Sequence, residues 1–184
     1  RFFSGYGFFR RAREDYRGIE VLRVPLVPRG HGDGVCLALN YLSFAMTASV
    51  LAPLRCRGKY DAILVFEPSP ITVGLPARVL RKTTGAPVFF WVQDLWPESL
   101  EATGALRPRG LLKLAGKLTR FVYRGCDRVL VQSRAFCEPI MRMGVAPERI
   151  AYFPNSAEGF YEPCDLPADA PEHKAMPRGF RVLF

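Results

Sequence analysis

Histidine is nearly missing from this chain: 184 residues contain two, His31 and His173. Both fall in expected loop or linker, so neither reads as a catalytic base or a metal ligand. The five cysteines, Cys36, Cys56, Cys126, Cys137 and Cys164, are odd in number and widely spaced, and no C-x-x-C pair occurs. A zinc ribbon or dithiol redox centre is thereby set aside, and a reducing, cytoplasmic compartment is the natural expectation. Walker A, G-x-S-x-G and a G-x-G-x-x-G following a strand are also absent, which removes the usual sequence grounds for a P-loop, a nucleophile elbow or a dinucleotide fold. No metal and no cofactor is expected. Neither a signal peptide nor an internal repeat is visible.

Acid is the minority charge. Asp and Glu number 17 against 26 Lys and Arg, a formal charge of +9, and an anionic partner follows: phosphorylated small molecule, phospholipid headgroup or nucleic acid. Basic residues cluster at Arg10, Arg11, Arg13 and Arg17, beside Phe8 and Phe9, and again from Arg107 to Arg128. A solvated basic face explains either cluster taken singly. Aromatics interleaved with lysines on a sheet face, the mark of base stacking, are not seen, so no nucleic acid is expected. The 49% hydrophobic content suits a globular α/β domain. The chain opens at Arg1 and stops inside the apolar run Phe180–Phe184, which reads as the first strand of a further part, so a fragment is expected.

Short β-branched or aromatic runs alternate with longer helical stretches, the pattern of βαβ units around a mainly parallel sheet with helices on both faces. Strands are expected at Glu20–Val24, Ala62–Phe66, Pro87–Val92, Arg128–Val131 and Arg149–Phe153. Helices are expected at Val35–Leu54, Ile71–Thr84, Arg109–Arg124 and Ser133–Met143, with Gly85 and Gly144 as C-terminal stops. From Glu158 the chain turns rich in proline and acid without periodicity, a linker. The expected organisation is an α/β domain over 1–157, a linker over 158–179, and the start of another domain over 180–184.

Two helices raise the question of a membrane. Val35–Leu54 is about as long and apolar as a span of roughly 20 residues, yet Asn40, Ser43 and Thr47 fall at i, i+3, i+7 and form one polar stripe. That favours a buried or interfacial helix. In Arg109–Arg124, Lys113, Lys117, Arg120 and Arg124 share a face opposite Leu111, Leu114, Leu118 and Val122. Such a helix suits an anionic membrane surface, and equally the surface of any basic protein.

Ligands of open parallel sheets bind beyond the carboxyl ends of the strands, where loops diverge and helix N-termini point. Four strands here run into polar groups: Glu67-Pro68-Ser69-Pro70, Gln93-Asp94-Leu95-Trp96-Pro97-Glu98, Gln132-Ser133 and Pro154-Asn155-Ser156. A carboxylate after a buried strand with an exposed indole two residues on suits a sugar, whose hydroxyls donate to carboxylates and whose C–H face stacks on a ring. Asp94 is the candidate catalytic residue. Glu67, Gln93, Trp96, Glu98, Ser133 and Asn155 are candidate substrate contacts. Plainer roles stand beside these: a helix N-terminal charge for Glu98, a loop anchor for Trp96, a turn carboxylate for Asp94, an N-cap for Ser133.

The runs Leu39-Asn40-Tyr41-Leu42-Ser43-Phe44-Ala45, Glu67-Pro68-Ser69-Pro70, Gln93-Asp94-Leu95-Trp96-Pro97-Glu98-Ser99 and Pro154-Asn155 followed by Phe160 make the sequence similar to the N-terminal domain of glycosyltransferase family 4. Within that family it resembles the bacterial O-antigen, capsule and colanic acid transferases, which include N-acetylfucosaminyl transferases. The likeness runs from about Ile19 to Asn155. It implies a GT-B enzyme of two Rossmann-like domains, acceptor held by the first and nucleotide-sugar donor by the second, with the chemistry in the cleft. Retention of anomeric configuration, independence of metal and a glycan or lipid-linked acceptor at the inner membrane are implied in the same way.

The resemblance also implies a first strand and glycine-rich loop before Arg1 and a donor domain after Phe184, so the chain alone is expected to be inactive. Where many relatives carry a histidine after the strand corresponding to Pro87–Val92, this chain has Gln93-Asp94, and only acceptor-side or catalytic orientation is assigned to Asp94. A GT-B-fold sugar-nucleotide epimerase and a non-catalytic basic binding module remain the alternatives.

Overall fold

The computed structural model describes residues 7, 12–30, 34–104 and 108–157, with 159, 162, 165, 167 and 169–171 beyond them. Arg10, Arg11, His31, Phe160, Cys164, His173, most of the expected linker and the run from Phe180 to Phe184 lie outside the described residues. The chain divides into two units, Arg1–Pro154 and Asn155–Phe184. In the second, a backbone hydrogen bond from Ala170 to Pro167 (2.9 Å) closes a turn.

The first unit holds a four-stranded parallel sheet built from β3 (Ile63–Glu67), β4 (Val88–Val92), β5 (Arg128–Val131) and β6 (Ile150–Tyr152), in that order. Each lies within one or two residues of its expected range. The expected strand at Glu20–Val24 is different: β2 (Ile19–Leu22) leaves the parallel sheet and pairs antiparallel with β1 (Arg13–Tyr16). Arg17 and Gly18 both take positive φ, 54° and 84°, the geometry of a two-residue turn that matches strand twist and favours a hairpin. A Glu20 salt bridge to Arg13 and a Glu14–Arg23 pair at 2.6 Å tie its charges together.

Sequential strand order with right-handed crossovers puts all the connecting helices on one side. These are α2 (Gly74–Thr84), entered through a 3₁₀ turn at Ile71–Val73; α4 (Arg109–Arg124); and α5 (Cys137–Arg142), entered through a 3₁₀ turn at Arg134–Phe136. Alternation assigns Val65, Val88, Phe90, Val92, Val129 and Val131 to the covered face, in one buried cluster with Ile71, Ala77, Val122, Tyr123 and Ile140. Close approach here requires glycine: a Cβ on Gly74 would meet Val122 Cγ1 at 2.3 Å. The opposite face carries Leu64 and Phe66, both exposed. Among the described residues the helices joining the strands therefore cover one face of this Rossmann-like sheet. At the amino edge Asp127 accepts from the Val88 N–H (2.8 Å) and from Arg81 (2.7 Å). Burial raises its pKa, but these donors outweigh that and hold the carboxyl below its ordinary value.

Helix α1 (Gly34–Arg55) is long and apolar enough to cross a membrane by length and composition, and its polar stripe is turned inward. Asn40 donates to the Val27 carbonyl (2.6 Å), Thr47 to the Pro25 carbonyl (2.6 Å), and Ser43 accepts from the Val27 N–H (2.9 Å). The stripe thus satisfies backbone groups of Pro25 and Val27, which lie in no strand among the described residues. Val35, Leu39, Leu42, Met46, Val50 and Leu54 are left exposed. A cleft of about 520 Å³, lined by α1, α2 and the outer edge of β3, runs beside the sheet.

Candidate active site

Register sets the site. Glu67, Val92 and Val131 lie level across β3, β4 and β5, so Asp94 and Ser133, each two residues farther on, leave adjacent strands at the same height. The Gln93 N–H donates to the Glu67 carbonyl at 3.1 Å, carrying the β3–β4 ladder one residue past the strand and fixing where Asp94 begins its turn. Asp94 and Gln93 are both half-buried.

A strand-end position suggests substrate contact for Glu67, but alternation puts its side chain on the face of Ile63 and Val65, turned into the core. It is 0% exposed. Burial pushes its carboxyl up to about 8; the nearby Asp94 carboxylate adds to the rise, and the backbone amides of Asp94 and Gln93 oppose it. From α4 the Tyr123 hydroxyl faces the same region, its pKa raised by burial first and then by Glu67 and Glu98. Among the described residues no group hydrogen-bonds the Tyr123 hydroxyl or the Thr72 hydroxyl, and the Asp94 and Gln93 amides are the polar groups nearest the Glu67 carboxyl. Burial therefore favours the protonated form of Glu67, a carboxyl beneath the site rather than an open acceptor.

The Trp96 indole, expected to be exposed, is half-buried against the core cluster. Its N–H donates to Ser69 Oγ at 3.2 Å, so the loop after β4 is pinned to the loop after β3. Two cis peptides, Ser69–Pro70 and Trp96–Pro97, lie in these loops.

Residues 4–156 match the sequence model of the glycosyl transferase 4-like domain. The chain belongs to this family. No curated protein matches it significantly. Membership makes it a glycosyltransferase domain, and a sugar donor and an acceptor its general partners.

The other candidate residues of the glycosyltransferase domain are spread more widely. Glu98 is exposed in the first turn of α3 (Glu98–Ala102), behind Pro97, the position of an N-terminal charge. Ser133 caps the 3₁₀ turn after β5, accepting from the Ala135 N–H at 3.3 Å. Beside it Arg134 lies over the Tyr152 ring, 4.7 Å from the centroid, a cation at the carboxyl edge. Asn155 is exposed and opens the second unit. The structure thus brings Glu67, Gln93, Asp94 and Trp96 together, sets Ser133 on the neighbouring strand, and leaves Glu98 at the rim. Tyr123 escaped sequence reasoning, because an aromatic at a core position of an amphipathic helix carries no signal of a carboxyl beneath it. In the sequence Ser69 carries no signal beyond its place in Glu-Pro-Ser-Pro. Its hydroxyl is the acceptor that orients Trp96.

Proposed function

We propose that this domain holds the acceptor while a sugar is moved from a nucleotide-sugar to a glycan, lipid-linked in surface polysaccharide synthesis, with retention and without metal. The bond from the anomeric carbon to the diphosphate oxygen breaks, the bond to the acceptor oxygen forms, and the acceptor proton leaves with the nucleoside diphosphate. The observation that carries this reading is the half-buried Asp94 at the carboxyl end of β4, set by the Gln93–Glu67 backbone bond. Such a carboxylate orients an attacking hydroxyl by accepting its hydrogen bond. Glu67 beneath it keeps its proton and adds no second charge. The Asp-Leu-Trp-Pro-Glu run supports the surface-polysaccharide subgroup, and the reducing composition supports cytoplasmic work at the inner membrane.

The test is transfer of labelled sugar from a panel of nucleotide-sugars to a detergent-solubilised lipid-linked glycan, by the enzyme carrying this domain, in the presence of a chelator. Product with the donor's anomeric configuration is expected. Transfer that stops on chelation, or inverts the anomeric centre, sinks the mechanistic part; release of free epimerised sugar instead of glycan product sinks the transferase reading.

A further inference from the structure

The outer face of α4 is not the plain charged surface that a soluble helix usually shows. Ala115, Thr119, Val122 and Tyr123 meet the sheet and are buried. Beside this buried row Leu114 is 61% exposed, Phe121 50% and Leu111, next to Val122, 47%, and their spacing of three and seven places them in one stripe. Lys113, Lys117, Arg120 and Arg124, all exposed, run beside Leu114 and Phe121 rather than opposite the whole apolar row as the spacing suggests. The helix has no acidic residue, and among the described residues none of these four cations forms a salt bridge. A further cation ends the stripe: Arg78 lies over the Phe121 ring at 4.0 Å and donates to the Phe121 carbonyl at 2.8 Å.

We infer that α4 is a docking surface for an anionic phospholipid bilayer, with Leu111, Leu114 and Phe121 entering the headgroup boundary and the lysine and arginine row meeting lipid phosphates. Apolar side chains flanked by cations on one helix face are what binding in the interface plane requires, burial of the first adding to attraction of the second. Charge decides against a second copy of the chain, since two faces of the same sign in proteins of formal charge +9 repel. The middle of α4 passes the candidate site: a Cβ on Gly116 would lie 3.7 Å from Pro97 Cγ. The inference rests on the lipid-linked acceptor only for its purpose, because the surface itself supplies the evidence.

Vesicle sedimentation of the chain, without donor or acceptor, tests it apart from the transferase reading. With phosphatidylcholine vesicles containing phosphatidylglycerol, binding is expected and should fall with added salt; with phosphatidylcholine alone it should be far weaker. Leu114→Glu should abolish binding while the far-UV spectrum and urea midpoint stay unchanged, as its exposure allows. Lys113→Gln combined with Lys117→Gln should weaken partition on the order of 30-fold. Equal binding to both vesicle types, no binding to either, or variants that bind like the parent overturn the inference. So does concentration-dependent dimerisation that Leu114→Glu removes, or selective binding of an acidic protein by the same face.

Discussion

Two carboxyl groups end two neighbouring parallel strands, and their surroundings pull them toward opposite uses. Glu67 closes β3 as its last in-register residue, so strand alternation turns it into the core, where burial keeps it protonated to about 8. Asp94 stands two residues past the last residue of β4, beyond the reach of alternation, and its side chain is half-buried at the loop surface. The contrast teaches that a strand-end carboxylate is not a site by position alone. Two residues past the end of the ladder separate a fully buried acid from a half-buried loop carboxylate.

The sharpest break of this comparison is kinetic. In the enzyme carrying this domain, Asp94→Asn keeps the shape and removes the charge, and turnover should fall on the order of a hundredfold, the usual worth of an oriented polar group. Steady-state rates with the native donor and a lipid-linked acceptor check it; unchanged turnover removes Asp94 from the site.

The next effect is on stability. The unfolded chain releases the Glu67 proton near the ordinary value of 4.5, the folded chain only near 8. Between those values the folded state holds a proton that the unfolded state has lost, so stability falls as pH rises through the window, with a limiting slope of roughly 1.4 kcal/mol per pH unit. Below the window this contribution is flat. Urea midpoints measured from pH 5 to pH 8 should show the slope in the parent and a shallower one in Glu67→Gln. The same slope in both would mean that the buried carboxyl is not the titrating group.

Much of the fold was legible because parallel strands buried by helices read as continuous apolar runs, and β3 to β6 did. Gly85, too, ends its helix as expected, and does so in the left-handed region with φ 75° and its N–H bonded to the Arg81 carbonyl. The hairpin was less legible, since Arg17-Gly18 is a turn signal that only the partner strand makes decisive. In α1 the polar stripe was visible, but not which way it faces. Nothing in the spacing of Asn40, Ser43 and Thr47 says that an extended segment needs them. At the site, Asp94 could be placed from its strand, whereas the burial of Glu67 depended on the strand ending one residue later than expected, and the Ser69–Trp96 bond on two loops meeting.

That bond gives a smaller effect. Ser69→Ala leaves the part-buried Trp96 N–H without its acceptor, a loss of about 1 kcal/mol by the usual worth of such a hydrogen bond. If the indole positions the Asp94 loop, KM for the acceptor should rise more than kcat falls. A stability loss with both constants unchanged would make Trp96 an anchor and nothing more.

The smallest expected effect belongs to Glu98, the second carboxylate of the Asp94–Glu98 run. Glu98 is exposed at the start of α3, where its charge meets the unsatisfied N–H groups of the first turn. Because α3 spans only five residues and water screens an exposed charge, Glu98→Gln should cost about 0.3–1 kcal/mol at most. Turnover should stay near the parent value. The measurement is the same pair of assays, urea midpoint and steady-state rate, run beside Asp94→Asn. A Glu98 variant that loses as much turnover as the Asp94 variant would show that both carboxylates face the acceptor, moving the site outward along the loop from the end of β4 to the rim of α3.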